Sequence, residues 1–159
     1  MKIESLSYVS IETTDLQEWD DYAKNVVGLM KNESLSDDHN LYLRMDEKAF
    51  RFHIQTGGSK KFIAAGLNIR GKEEFEVAKN ELTSANIEFA DFSDELIAAR
   101  CVKNGITLKD PAGNALEISY GGADADEPFI SPQDIKGFIT KGLGFGHVVF
   151  AAPDLEVAH

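Results

Sequence analysis

Residues 145–156, FGHVVFAAPDLE, repeat the pattern of residues 6–17, LSYVSIETTDLQ, at a constant offset of 139 positions. Val9 aligns with Val148, Asp15 with Asp154 and Leu16 with Leu155. Each stretch predicts an apolar strand followed by an Asp-Leu helix start. A repeat of this period predicts two copies of one domain, of which this chain holds one whole copy and the beginning of a second. We therefore expect the chain to be a fragment of a longer protein.

The first copy itself divides into two similar halves, each with the predicted order β-α-β-β-β. In the first half, residues 3–11 alternate like a strand, Asp15 with Glu18 resembles a capping box, and Gly28 is placed to end the helix. Short strands are then predicted at residues 31–35, 41–45 and 50–55.

The second half repeats this order. A strand is predicted at residues 62–70 and a helix from about Lys72 to about Asn86. Ser93 can cap a short helical turn. The remaining strands are expected near residues 88–90, 105–109 and 115–120.

These patterns predict an α+β fold with three segments. Residues 1–120 form one domain, made of βαβββ units at about 1–58 and 59–120. Residues 121–143 form a Gly- and Asp-rich linker and an extended tail. Residues 144–159 hold the first strand of a truncated second domain, at about 145–152.

Composition excludes several classes of function. Sixteen Lys and Arg residues against 27 Asp and Glu give a net charge of −11, which disfavours nucleic acid and anionic membranes as partners. No apolar run approaches the length of a membrane span, and residues 1–5 lack the features of a signal peptide. Cys101 is the single cysteine, so it cannot form an internal disulfide, and we expect a cytoplasmic protein.

The repeated βαβββ units resemble the vicinal oxygen chelate fold of glyoxalases, bleomycin-resistance proteins and dioxygenases. The closer resemblance is to type I extradiol ring-cleaving dioxygenases, the biphenyl-2,3-diol 1,2-dioxygenase branch of that superfamily. The motifs that carry it occur in order along the chain: residues 8–9 (YV), 41–46 (LYLRMD), 110–117 (DPAGNALE), 128–132 (PFISP) and 144–149 (GFGHVV).

The resemblance implies an iron site outside the complete domain. In that family only the C-terminal domain holds Fe(II), through two histidines and one glutamate. His147 is then the first ligand of the intact protein, and the other two lie beyond the chain end. The equivalent positions of the complete domain are Tyr8, Gly66 and Glu117. Because Gly66 has no side chain, we expect this domain to bind no metal and to have a structural role.

The function implied is O2-dependent cleavage of a catechol by the intact, Fe(II)-dependent enzyme, in the degradation of aromatic compounds. We expect no catalytic residue in this chain, no bound iron in the fragment, little activity of its own, and a homo-oligomer. One alternative is a metal-free ligand-binding module of the bleomycin-resistance type, which the tail from Phe129 and the strand around His147 oppose. A glyoxalase-type isomerase would need ligands from both βαβββ units, which Tyr8 and Gly66 oppose.

The other candidate side chains are interpreted structurally. We expect His53 to be a packed or surface histidine and Glu117 to be a hydrogen-bonded polar residue in a small cleft. Cys101 is expected to be buried or half-buried.

Overall fold

The computed structural model describes residues 1–140, 144–152, 154 and 156. The chain forms two compact units. The first unit holds Tyr8–Ile63 and the described residues of Ala123–Phe145. The second unit holds Met1–Ser7, Ala64–Gly122 and the described residues from Gly146 onward.

The first unit is built on strands β1 to β4. These are β1 (Ser5–Thr13), β2 (Met30–Lys31), β3 (Asn40–Arg44) and β4 (Phe52–Thr56), in the sheet order β2-β3-β4-β1. Strands β2, β3 and β4 pair antiparallel, whereas β4 pairs parallel to β1 with Val9 opposite Phe52. The core of this unit consists of buried Ala23, Leu29, Leu41, Leu43 and Ile54.

Helix α1 (Leu16–Tyr22) crosses over between β1 and the remaining strands. The Asp15 carboxylate accepts a hydrogen bond from the Glu18 amide at 3.0 Å, as predicted for its N-terminus. The Glu18 carboxylate does not return the bond and contacts Lys60 instead. The helix continues as a π-helix, Ala23–Val27, and ends at Gly28, whose φ of 85° suits a residue without a side chain.

The second unit repeats the order of elements. It contains β5 (Lys61–Asn68), helix α2 (Lys72–Ser84), β6 (Phe89–Asp91), helix α3 (Asp94–Arg100), β7 (Asn104–Lys109) and β8 (Ala115–Tyr120). The sheet order is β5-β8-β7-β6, with β5 parallel to β8 and the other pairs antiparallel. Helix α2 packs Phe75, Ala78 and Leu82 against Ile106 and Ile118. The predicted α+β class and the two βαβββ units are thus confirmed.

Two predicted strands differ from the structure. The strand expected at residues 31–35 is limited to Met30–Lys31, because the Asn32 side chain bonds the Ala49 carbonyl and the Ser34 amide and turns the chain. The strand expected at residues 145–152 does not form among the described residues of that stretch. A strand needs a neighbouring backbone to bond, and no described strand pairs with these residues.

Residues 123–140, called the strap below, contain neither a helix nor a strand and belong to the first unit. The strap makes one isolated bridge, between Asp124 and Lys48. Among the described residues, no helix is long and apolar enough to cross a membrane.

Candidate functional site

His147 is exposed and lies in a stretch of irregular backbone. Within the part of the chain that the structure describes, no group of three or more His, Cys, Asp or Glu side chains is placed to hold a metal ion. A single imidazole cannot supply the three-ligand set of a non-haem iron site. The described residues therefore do not fit an iron centre by themselves.

Glu117, which the resemblance aligned with an iron ligand, forms an ion pair with Arg100 inside the second unit. Its carboxylate accepts hydrogen bonds from Arg100 Nε at 2.6 Å and from Arg100 Nη2 at 2.9 Å. Both residues are 4% exposed. Two parallel N–H···O bonds fix both side chains and compensate the buried negative charge. Glu117 is hydrogen-bonded as predicted, but its partner Arg100 was not identified from the sequence.

Gly66 lies directly opposite Glu117 in the parallel pairing of β5 and β8. Side chains at paired positions of neighbouring strands project from the same face of a sheet. Gly66 therefore leaves the Glu117 carboxylate without a neighbouring imidazole at this point. These two positions of the second unit do not fit a metal site.

Tyr8 packs in the first unit. It is 2% exposed, and its ring centroid lies 5.0 Å from that of Phe50. Offset and tilted aromatic pairs of this kind stabilise a core through contact area and ring geometry. Tyr8 has a packing role here.

His53 is the centre of a buried polar network in the first unit. Its Nδ1 lies 3.0 Å from Ser10 Oγ, and its Nε2 lies 3.0 Å from Asn40 Oδ1. Asn40 donates from Nδ2 to Asp37, so its Oδ1 accepts from His53 Nε2–H and the Ser10 hydroxyl donates to Nδ1. The imidazole also stacks on Tyr42 at 4.5 Å. Of the two possibilities that the sequence left open for His53, packed or surface, the structure shows the packed one.

A second buried charge cluster involves Arg44, Asp46 and Arg51. Arg51 donates to the Asp46 carboxylate at 3.0 Å from Nε and at 2.6 Å from Nη2, with both side chains nearly fully buried. Burial alone would raise the pKa of Asp46, but the hydrogen bonds and charge of Arg51 hold it below its usual value. Burial lowers the pKa of Arg44. The sequence analysis did not identify this cluster, although the charged Arg44 and Asp46 in the otherwise apolar run LYLRMD could have indicated it.

The surroundings of Cys101 favour the protonated thiol, because the effect of burial outweighs that of the neighbouring Arg100 charge. It is half-buried, caps helix α3 in the left-handed conformation, and donates from Sγ to the Ala98 carbonyl. Burial raises the pKa of the Cys101 thiol, which disfavours the reactive thiolate.

Comparison with known proteins shows which proteins this chain is similar to. Residues 6–57 match the family described as dihydroxybiphenyl dioxygenase BphC D1. An iron-dependent extradiol dioxygenase of Rhodococcus jostii is 34% identical over 99% of this chain and 52% of the relative. The chain is similar to extradiol dioxygenases over nearly its whole length. A biphenyl-2,3-diol 1,2-dioxygenase of Pseudomonas sp. strain KKS102 is 35% identical over 99% of this chain and 54% of that protein.

The fold of this chain agrees with that of solved structures to which it is similar. A crystal structure of catechol 2,3-dioxygenase superposes with a TM-score of 0.93 at 31% identity, covering 99% of this chain and 56% of that one. The fold is therefore the vicinal oxygen chelate fold that the βαβββ repeat predicted. The chain spans about half the length of the curated relatives it matches.

Proposed function

We propose that this chain is the N-terminal part of an Fe(II)-dependent extradiol dioxygenase that cleaves a catechol with O2. The observation that carries the proposal is the similarity over 99% of the chain to relatives named as extradiol dioxygenases. The 139-residue repeat supports it, because the same strand pattern begins again around His147.

In this proposal the complete domain has a structural role and His147 is the first iron ligand. A structural role agrees with the two buried ion pairs, Asp46–Arg51 in the first unit and Arg100–Glu117 in the second. In each pair the buried carboxylate is compensated by an arginine. When iron is bound by two imidazoles and one carboxylate, it leaves open positions for a catechol and O2. The remaining ligands belong to residues that follow His159.

The proposed substrate class is a catechol bearing a further ring or alkyl group. The matched relatives are named for biphenyl-2,3-diol, 3-methylcatechol and 1,2-dihydroxynaphthalene. Assembly as a homo-oligomer and a cytoplasmic location stay predictions.

Iron binding and ring cleavage by the protein from its natural source test the proposal. We expect one iron per chain, retained on gel filtration, and O2 uptake with each of the three diols. His147→Ala should abolish both, whereas the matched variant His39→Ala, at an exposed turn, should retain both. An iron-free protein that binds a ligand without consuming O2 would contradict the proposal and favour the metal-free binding module.

A further inference from the structure

The turn between β7 and β8 is closed by a pair of polar side chains. The Asp110 carboxylate accepts hydrogen bonds from the Asn114 backbone amide through Oδ1 and from Asn114 Nδ2 through Oδ2, both at 2.7 Å. The Asp110 amide in turn donates to the Asn114 carbonyl at 2.9 Å. Together these bonds fix the direction of the Asn114 side-chain amide.

The fixed amide binds a second segment of the chain. A side-chain amide nitrogen carries two N–H groups, and Asn114 Nδ2 also donates to the Ala151 carbonyl at 3.4 Å. The described residues from Gly146 onward belong to the same compact unit as this turn. The bond therefore attaches residues 146–152, called the His147 segment below, to the second unit.

Exposure alternates along the His147 segment. Val148 and Phe150 are half-buried, whereas His147, Val149 and Ala151 are exposed. Val149 is 83% exposed, although valine is among the residues most often buried. The segment thus presents to solvent a row of side chains that includes His147 and an apolar residue.

The complete copy of the repeat shows how such a row is covered. At the offset of 139 positions, His147 aligns with Tyr8 and Val149 with Ser10. Both of these β1 side chains are buried, with 2% and 0% exposure, inside a complete domain. The alternate row is half-buried in both copies. The row that is buried in the complete copy is therefore the one that is exposed in the incomplete copy.

We propose that Asn114, oriented by Asp110, anchors the first strand of a second domain to the β7–β8 turn, and that the remainder of that domain covers the row of His147 and Val149. This inference rests on the proposed function, under which the protein continues beyond His159 into a second copy. Because the anchor binds a backbone carbonyl, it holds the strand in place and leaves the exposed row free to be covered.

Backbone ¹⁵N relaxation of this chain tests the anchor. In the wild type, residues 147–152 should have order parameters of about 0.8, and in Asn114→Ala they should fall below about 0.6. The values for β7 and β8 should stay unchanged, because the variant keeps the bonds that the Asn114 backbone makes to Asp110. The matched control is Asn68→Ala, which removes a side-chain amide bond to Glu4 of 3.3 Å in the same unit.

Unchanged order parameters in Asn114→Ala, or loss of order in the Asn68→Ala control as well, would overturn the anchor. A measurement on the wild type decides the question even if Asn114→Ala does not fold. We expect nuclear Overhauser effects between the Asn114 side-chain amide protons and the protons of Ala151 and Ala152, and their absence would overturn the anchor.

Thiol labelling tests what covers the exposed row. In a Cys101→Ser background, Val149→Cys should react rapidly with a maleimide in this chain and about a hundredfold more slowly in the intact two-domain protein. Equal rates would overturn the proposed covering of the row. These readouts do not depend on iron or ring cleavage, so their failure is distinct from a failure of the proposed function.

Discussion

Arg100 and Glu117 form a two-point ion pair inside the second unit, with N–O distances of 2.6 and 2.9 Å. Glu117 is equivalent to the carboxylate ligand that the family resemblance implies, and its charge is compensated here by a guanidinium. Gly66, opposite Glu117 in the sheet, supplies no imidazole. The buried charges of Arg100 and Glu117 therefore compensate each other within the second unit.

The Arg100–Glu117 pair predicts a large penalty for removing one partner. Arg100→Met should lower the free energy of unfolding by about 3–5 kcal/mol, because it leaves the buried Glu117 carboxylate without the guanidinium. The double variant Arg100→Met with Glu117→Gln should recover much of this loss. Urea denaturation of wild type, Arg100→Met, Glu117→Gln and the double variant measures the coupling energy of the pair. A double variant no more stable than Arg100→Met would contradict this prediction.

Asp46 predicts a pH-dependent contribution to stability. Burial raises the pKa of Asp46, but the hydrogen bonds and charge of Arg51 and the hydrogen bond from the Lys48 amide outweigh it, so the folded pKa lies below the unfolded value. The stabilisation is therefore fully present above the unfolded pKa and is lost as the pH falls through the folded pKa.

Asp46→Asn should accordingly be much less stable than wild type at pH 7, and the difference should shrink as the pH falls below about 4. Urea denaturation across this range provides the measurement. A stability difference that stays constant down to pH 3 would show that the Asp46 charge is not the source.

The hydrogen bonds of His53 to Ser10 and Asn40 predict a loss of stability when the imidazole is removed. His53→Phe keeps the stacking on Tyr42 but removes the partners of Ser10 and Asn40, so the free energy of unfolding should fall by about 1–3 kcal/mol. Adding Ser10→Ala should recover part of that loss. His39→Phe, at an exposed turn, is the control and should change stability by less than about 0.5 kcal/mol.

The start of α1 predicts unequal roles for two acidic residues. Asp15→Ala should destabilise the chain by about 1 kcal/mol, because its carboxylate caps the Glu18 amide. Glu18→Ala should cost less than half as much, since its carboxylate contacts exposed Lys60 and not the Asp15 amide. Equal losses from the two variants in thermal denaturation would show a complete capping box.

The sequence predicted those elements that local chemistry determines. Asp15, Gly28 and Ser93 mark helix ends in both sequence and structure. The strands predicted at residues 3–11 and 115–120 correspond to β1 and β8. The ion pairs were missed because the partners are separated by 5 and 17 residues, and their pairing depends on how strands and helices pack. Arg44 donates a hydrogen bond to the Glu127 carbonyl in the strap, and the two residues are 83 positions apart. No local sequence pattern reveals a contact over this separation.

At residues 145–152 the sequence pattern predicted a strand that the described residues do not form. Its apolar alternation predicts a strand, yet a strand exists only where another strand bonds its backbone. The sequence reports the propensity, and the pairing depends on the rest of the protein.

The central claim is that this chain is the N-terminal part of a dioxygenase about twice its length. Intact mass spectrometry of the gene product, isolated from its natural source, tests this most directly. We expect a polypeptide roughly twice as long as these 159 residues, because the chain covers about half the length of its relatives. A natural product that ends at His159 would contradict the claim and leave a domain without iron chemistry of its own.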